Sequence, residues 1–77
     1  MATIELDVRD LKHPEPFERV IKAYSTLKDG DTIHMIHRKK PLPLFDFLKN
    51  QPLTTFSFEE DNNGIWHIFI NKLSKSE

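Results

Sequence analysis

TIELDVRDLKHPEPFERVIKAYSTL, residues 3–27, carries two hydrophobic periods in one run. In its first part Ile4, Leu6 and Val8 alternate with Thr3, Glu5 and Asp7. Period two is the signature of a half-buried strand, so Thr3–Val8 reads as β. From Pro16 the period changes. Phe17, Val20, Ile21, Tyr24 and Leu27 fall on one face of an amphipathic helix. The polar stretch Arg9–Pro14 between them is a loop, and Pro14 and Pro16 suit a first helical turn, where N–H groups lack helical partners anyway. Gly30, inside Asp29-Gly30-Asp31, is expected to close this helix with a left-handed residue.

The same reading extends to the rest of the chain. Thr32–His37 is a short strand with Ile33 and Met35 on one face and His34 and Ile36 on the other. After Arg38-Lys39-Lys40, a second helix is expected over Pro43–Asn50, with Leu44, Phe47 and Leu48 at helical spacing beside Phe45, and Pro52 stops it. Thr54–Glu60 alternates Phe56 and Phe58 with polar residues, a third strand. Asp61-Asn62-Asn63-Gly64 signals a hairpin, because Asn-Gly accepts the positive φ of tight turns. Ile65–Asn71 is apolar on both faces, as expected of a strand interior to its sheet. The order is β-α-β-α-β-β. A right-handed crossover makes the first two strands parallel if they are neighbours. The expected fold is therefore an α/β (α+β) two-layer sandwich, two helices on one face of a four-stranded mixed sheet.

With 77 residues there is room for one small domain, 1–77, with 72–77 a polar tail. Hydrophobic residues form 38% and charged ones 30%, a globular balance rather than that of a disordered tail. A net charge of -1 supplies no global field toward nucleic acid or anionic lipid. No cysteine is present, which excludes disulfides, thiolate metal sites and thiol chemistry on the chain itself. Neither a bilayer-length apolar run nor an export signal is visible, so the expected compartment is the cytoplasm, with no membrane contact.

Leu6-Asp7-Val8-Arg9-Asp10-Leu11-Lys12-His13-Pro14-Glu15-Pro16 resembles the opening of the TusA/SirA-like sulfur carriers, in which Leu-Asp-x-Arg-Gly-Leu precedes Cys-Pro-x-Pro at the first helix. Leu27-Lys28-Asp29-Gly30-Asp31-Thr32 and the proline-containing loop before the second helix are similar too. The Trp66-His67-Ile68 strand is closer to a branch of that superfamily whose function is unknown and which usually lacks the cysteine. The motif positions are Asp7, Arg9, His13, Pro14 and Pro16. The resemblance implies the two-layer fold, as in the C-terminal domain of translation initiation factor three. It does not imply persulfide transfer: His13 stands where the carriers have their cysteine, and imidazole forms no persulfide. Asp10 also replaces the usual glycine.

Topology points to a binding site. If the first two strands are parallel, the loops that follow them leave the same sheet edge, where open α/β sheets hold ligands. They would gather Arg9, Lys12, His13, His37, Arg38, Lys39 and Lys40 beside both helix N-termini. Glu15 and Glu18 already occupy the positive end of the first helix, so the second is the expected receptor for an anion. The plainer reading is a solvated basic loop. The expected function is a non-enzymatic interaction or regulatory module that binds a protein partner through an acidic segment, or a small anion. A homodimer through an apolar open sheet face carrying Ile36, Ile65 and Phe69 is a further expectation.

Other classes find less in the residues. Ser25, Ser57, Ser74 and Ser76 sit in no nucleophile motif, and two glycines cannot build a phosphate cradle, so no enzyme is expected. No cofactor and no metal set is assigned. His34 and His37 point to opposite faces, although His34 and His67 would approach each other if their strands are neighbours. The alternatives are an accessory to sulfur or redox metabolism with His13 holding a metal or haem, and an RNA-binding module using Trp66 or Phe69 as a stacking platform. Nucleic acid is the less expected partner on charge grounds.

Overall fold

The computed structural model describes residues 2–73. Its elements are β1 (Thr3–Asp7), α1 (Glu15–Tyr24), β2 (Thr32–His37), α2 (Leu42–Lys49), β3 (Thr54–Glu60) and β4 (Trp66–Lys72). The sheet order is β1-β2-β4-β3, with β1 parallel to β2 and the other pairs antiparallel. As the apolar run predicts, β4 lies inside the sheet. The parallel pairing of β1 with β2 is the crossover that the period switch at Pro16 requires.

Both helices cover one face. Ile33 and Met35 of β2 and Ile68 and Ile70 of β4 are buried there against Val20 of α1 and Leu44, Phe45 and Leu48 of α2. Burying each such side chain contributes about 1.5–3 kcal/mol, so this one layer supplies most of the driving force. At its margin Phe45 stacks on Phe58 with ring centroids 4.6 Å apart, and Phe47 meets Tyr24 edge to face at 5.7 Å.

Several boundaries differ from expectation for local reasons. Helix α1 ends at Tyr24 rather than at Gly30 because the Ser25 and Thr26 hydroxyls donate to the Lys22 and Ala23 carbonyls and end the turn. Gly30, at φ 88°, instead serves the turn before β2, where its N–H donates to the Lys72 carbonyl. Lys72 is therefore the last residue of β4, not the start of a tail: it pairs with Thr54, and its Nζ lies 5.0 Å from the Tyr24 ring centroid. Leu73 follows, its N–H donating to the Leu53 carbonyl, and the rest of the expected tail, 74–77, lies outside the described residues. In the hairpin only Gly64 has positive φ. Asp61 N–H bonds the Ile65 carbonyl, and the Asp61 side chain accepts from the N–H groups of Asn63 and Ile65. An Asx-capped loop thus replaces the two-residue turn that Asn-Gly signals.

The open face is not apolar. Glu5, Asp7, Thr32, His34, His67, Asn71, Ser57 and Glu59 share it with Ile36 and Phe69. Both apolar residues are half-buried, Phe69 beneath His34 with ring centroids 4.5 Å apart. Among the described residues the large exposed apolar side chains are Leu42, Leu53, Phe58 and Leu73. None of them belongs to the patch expected around Ile36, Ile65 and Phe69.

Candidate functional site

The loops after β1 and β2 emerge side by side, and between them lies a cleft of about 870 Å³. Arg9, Lys12, His13, His37, Arg38, Lys39 and Lys40 all line it. Of the motif positions, Pro16 lines the cleft too, while Asp7 stands at the end of β1 and Pro14 caps α1. The His13–Pro14 peptide is cis. The floor went unread in the sequence: Leu11, Phe17, Met35 and Leu44 supply it. Their signal was present, since Phe17 and Leu44 open the apolar faces of the two helices. Core and cleft floor, however, look alike to periodicity.

The cations are not equivalent. Arg9 grips Asp7 with both ends of its guanidinium, Nε to Oδ1 at 2.8 Å and Nη2 to Oδ2 at 2.6 Å. Hydrogen bonds from the Arg9 side chain and backbone N–H hold the Asp7 carboxyl down to about 2. The Asp-x-Arg element is thus a local clamp that shapes the loop. Arg38 reaches Asp10 at 3.4 Å, an exposed and weak pair. Lys40 leans away over Phe58 and Trp66, 5.0 and 5.6 Å from their centroids. That leaves Lys12 and Lys39 without a side-chain ion pair among the described residues.

His37 adds a neutral donor. Its Nδ1 accepts the Arg38 N–H at 2.9 Å, which places the ring proton on Nε2. Burial, and then the nearby Lys39 charge, pushes its pKa below the usual imidazole value. The helix contribution differs from expectation. No acidic residue stands in the first turn of α2, but its N–H groups are already used or missing. Leu42 N–H bonds the Lys40 carbonyl, Pro43 has none, and Leu44 and Phe45 both donate to the Pro41 carbonyl. Helix α2 can offer an anion its dipole but no free first-turn donor.

Trp66 packs against Phe58 on the helix side of the sheet, and Phe69 stacks with His34 on the open face, so each ring already has an aromatic neighbour and is half-buried. Among the described residues no three His, Cys, Asp or Glu side chains converge as a metal set, and no helix is long and apolar enough to cross a membrane. His34 and His67 do meet, Nε2 to Nδ1 at 3.0 Å, because β2 and β4 are neighbours.

A two-layer α+β domain with a cleft at the ends of its parallel strands defines the class. The chain belongs to the uncharacterized conserved protein family DUF2249, whose model matches residues 5–72. No curated protein and no solved structure matches it.

Proposed function

We propose that this chain is a non-enzymatic cytoplasmic interaction module, built on a TusA/SirA-like scaffold, that holds an acidic segment of a partner protein or a small anion in the cleft beside His13. One observation carries the reading: seven basic or imidazole side chains from two distant loops line a single cleft with an apolar floor. A site of that kind takes an anionic group at the rim and an apolar group at the base. Lys12 and Lys39 would supply the charge and His37 a neutral N–H. The bidentate Asp7–Arg9 clamp and Pro14-x-Pro16 at the start of α1 support the scaffold reading. His13 in place of a thiol leaves no route to a carried persulfide.

The test is a titration of labelled protein with a short Asp/Glu-rich peptide bearing one Leu, against its Asn/Gln counterpart. Shifts confined to Lys12, His13 and the His37–Lys40 segment, lost in Lys12→Ala/Lys39→Ala and absent with the neutral peptide, are expected. Equal response to both peptides, or none to either, removes the site. Binding of single-stranded RNA with a steep salt dependence would favour the nucleic-acid reading instead.

A further inference from the structure

Away from the cleft, four titratable side chains form one line across the open sheet face. Glu5 Oε2 lies 3.5 Å from His34 Nδ1. His34 Nε2 lies 3.0 Å from His67 Nδ1, and His67 Nε2 lies 3.1 Å from Asp61 Oδ2. The line runs from the edge strand β1 through β2 and β4 to the β3–β4 turn. We infer that these four groups form a one-proton switch, in which the imidazole pair takes up a single proton at His34 and thereby ties β1 to β2 by an ion pair.

The polarity follows from donors and acceptors. The hydrogen bond from His67, and then those from the N–H groups of Ile65 and Asn63, hold the Asp61 carboxyl below the usual range. An anion there requires His67 to carry its proton on Nε2, which leaves His67 Nδ1 a bare acceptor. His34 Nε2–H then fills that acceptor, and His34 Nδ1 is left bare opposite Glu5. A proton from solvent adds to the lone pair of His34 Nδ1 and breaks nothing. The charge appears beside the Glu5 carboxylate, and both other hydrogen bonds persist. A second proton has only His67 Nδ1 to enter, and that lone pair is engaged, so the imidazole pair must open first. Glu5 and Asp7 face the line from β1, Glu59 from β3 and Asp61 from the turn; Arg9 is paired with Asp7, and its charge also acts on Asp61. Phe69 stacks on His34 from β4 and limits its freedom to swing away.

Nitrogen-15 ring spectra of the full chain across pH test this. Both rings are expected as Nε2–H tautomers when neutral, and one proton should enter at His34 Nδ1 while His67 keeps its tautomer. His67→Gln removes the imidazole that takes the His34 Nε2–H bond, so neutral His34 should then populate its Nδ1–H tautomer as well. Glu5→Gln, on an exposed edge, leaves the fold intact and removes the ion-pair partner, so the change in β1 amide signals that accompanies proton entry should be lost. An Nδ1–H tautomer at His67, proton entry at His67 rather than at His34 Nδ1, or β1 amide changes unaltered by Glu5→Gln, overturns the switch.

Discussion

Removing the same three carbons from two isoleucines on neighbouring inner strands should have very different consequences. Ile68 of β4 is 0% exposed on the helix-covered face, whereas Ile36 of β2 is half-buried on the open face beside His67. For Ile68→Ala the transfer loss alone is about 2.5 kcal/mol, at about 0.8 kcal/mol for each buried methylene equivalent. Residual cavity brings the total to about 3–5 kcal/mol, because Met35 and Val20 are themselves fully buried and cannot collapse freely. A domain of this length has roughly 4–12 kcal/mol of stability, so this one change removes a large share. For Ile36→Ala the expected cost is about 1 kcal/mol, since water already reaches the side chain. Both positions are in inner strands, so the loss of β propensity is similar and cancels in the difference. Urea unfolding at constant m-value measures it. Equal costs would mean that the two faces of the sheet are not buried as described, and the core built on Ile33, Met35, Ile68 and Ile70 would be wrong.

Three further outcomes follow from side-chain chemistry. Asp7 has a lowered folded pKa, so its stabilising contribution is present above about 4 and is lost as pH falls toward about 2; carbon-13 carboxyl titration should show this, and Arg9→Ala should return Asp7 toward its ordinary range. His37 also has a lowered folded pKa, so its contribution is full above about 6.5 and declines as pH drops below that; Lys39→Ala should raise its folded value by removing the neighbouring charge. Lys40→Ala should cost about 0.5–1 kcal/mol and change the emission of Trp66, the sole tryptophan, because the ammonium over the Phe58 and Trp66 rings is lost. Unchanged emission would mean that the Lys40 ammonium does not rest on the indole.

Periodicity alone determined the six elements and their order, because whether a residue meets core or water is set by its neighbours two, three or four positions away. It also placed β4 inside the sheet, but the two basic loops share an edge because β1 and β2 are parallel neighbours, an adjacency that the tertiary structure decided and periodicity left conditional. Side-chain pairing was beyond its reach. Arg9 and Arg38 read as open cations but fold back onto Asp7 and Asp10, and Lys40 turns to aromatic rings from β3 and β4. Arg9 stands two residues from its partner, yet the clamp depends on the loop path; the others depend on contacts from far along the chain. The helix end at Tyr24 turned on two hydroxyls competing for carbonyls, a contest that hydrophobic patterning does not register. Only the antiparallel register of β2 against β4 brought His34 to His67 across 33 positions, since a shift of one residue would have sent one ring to the opposite face.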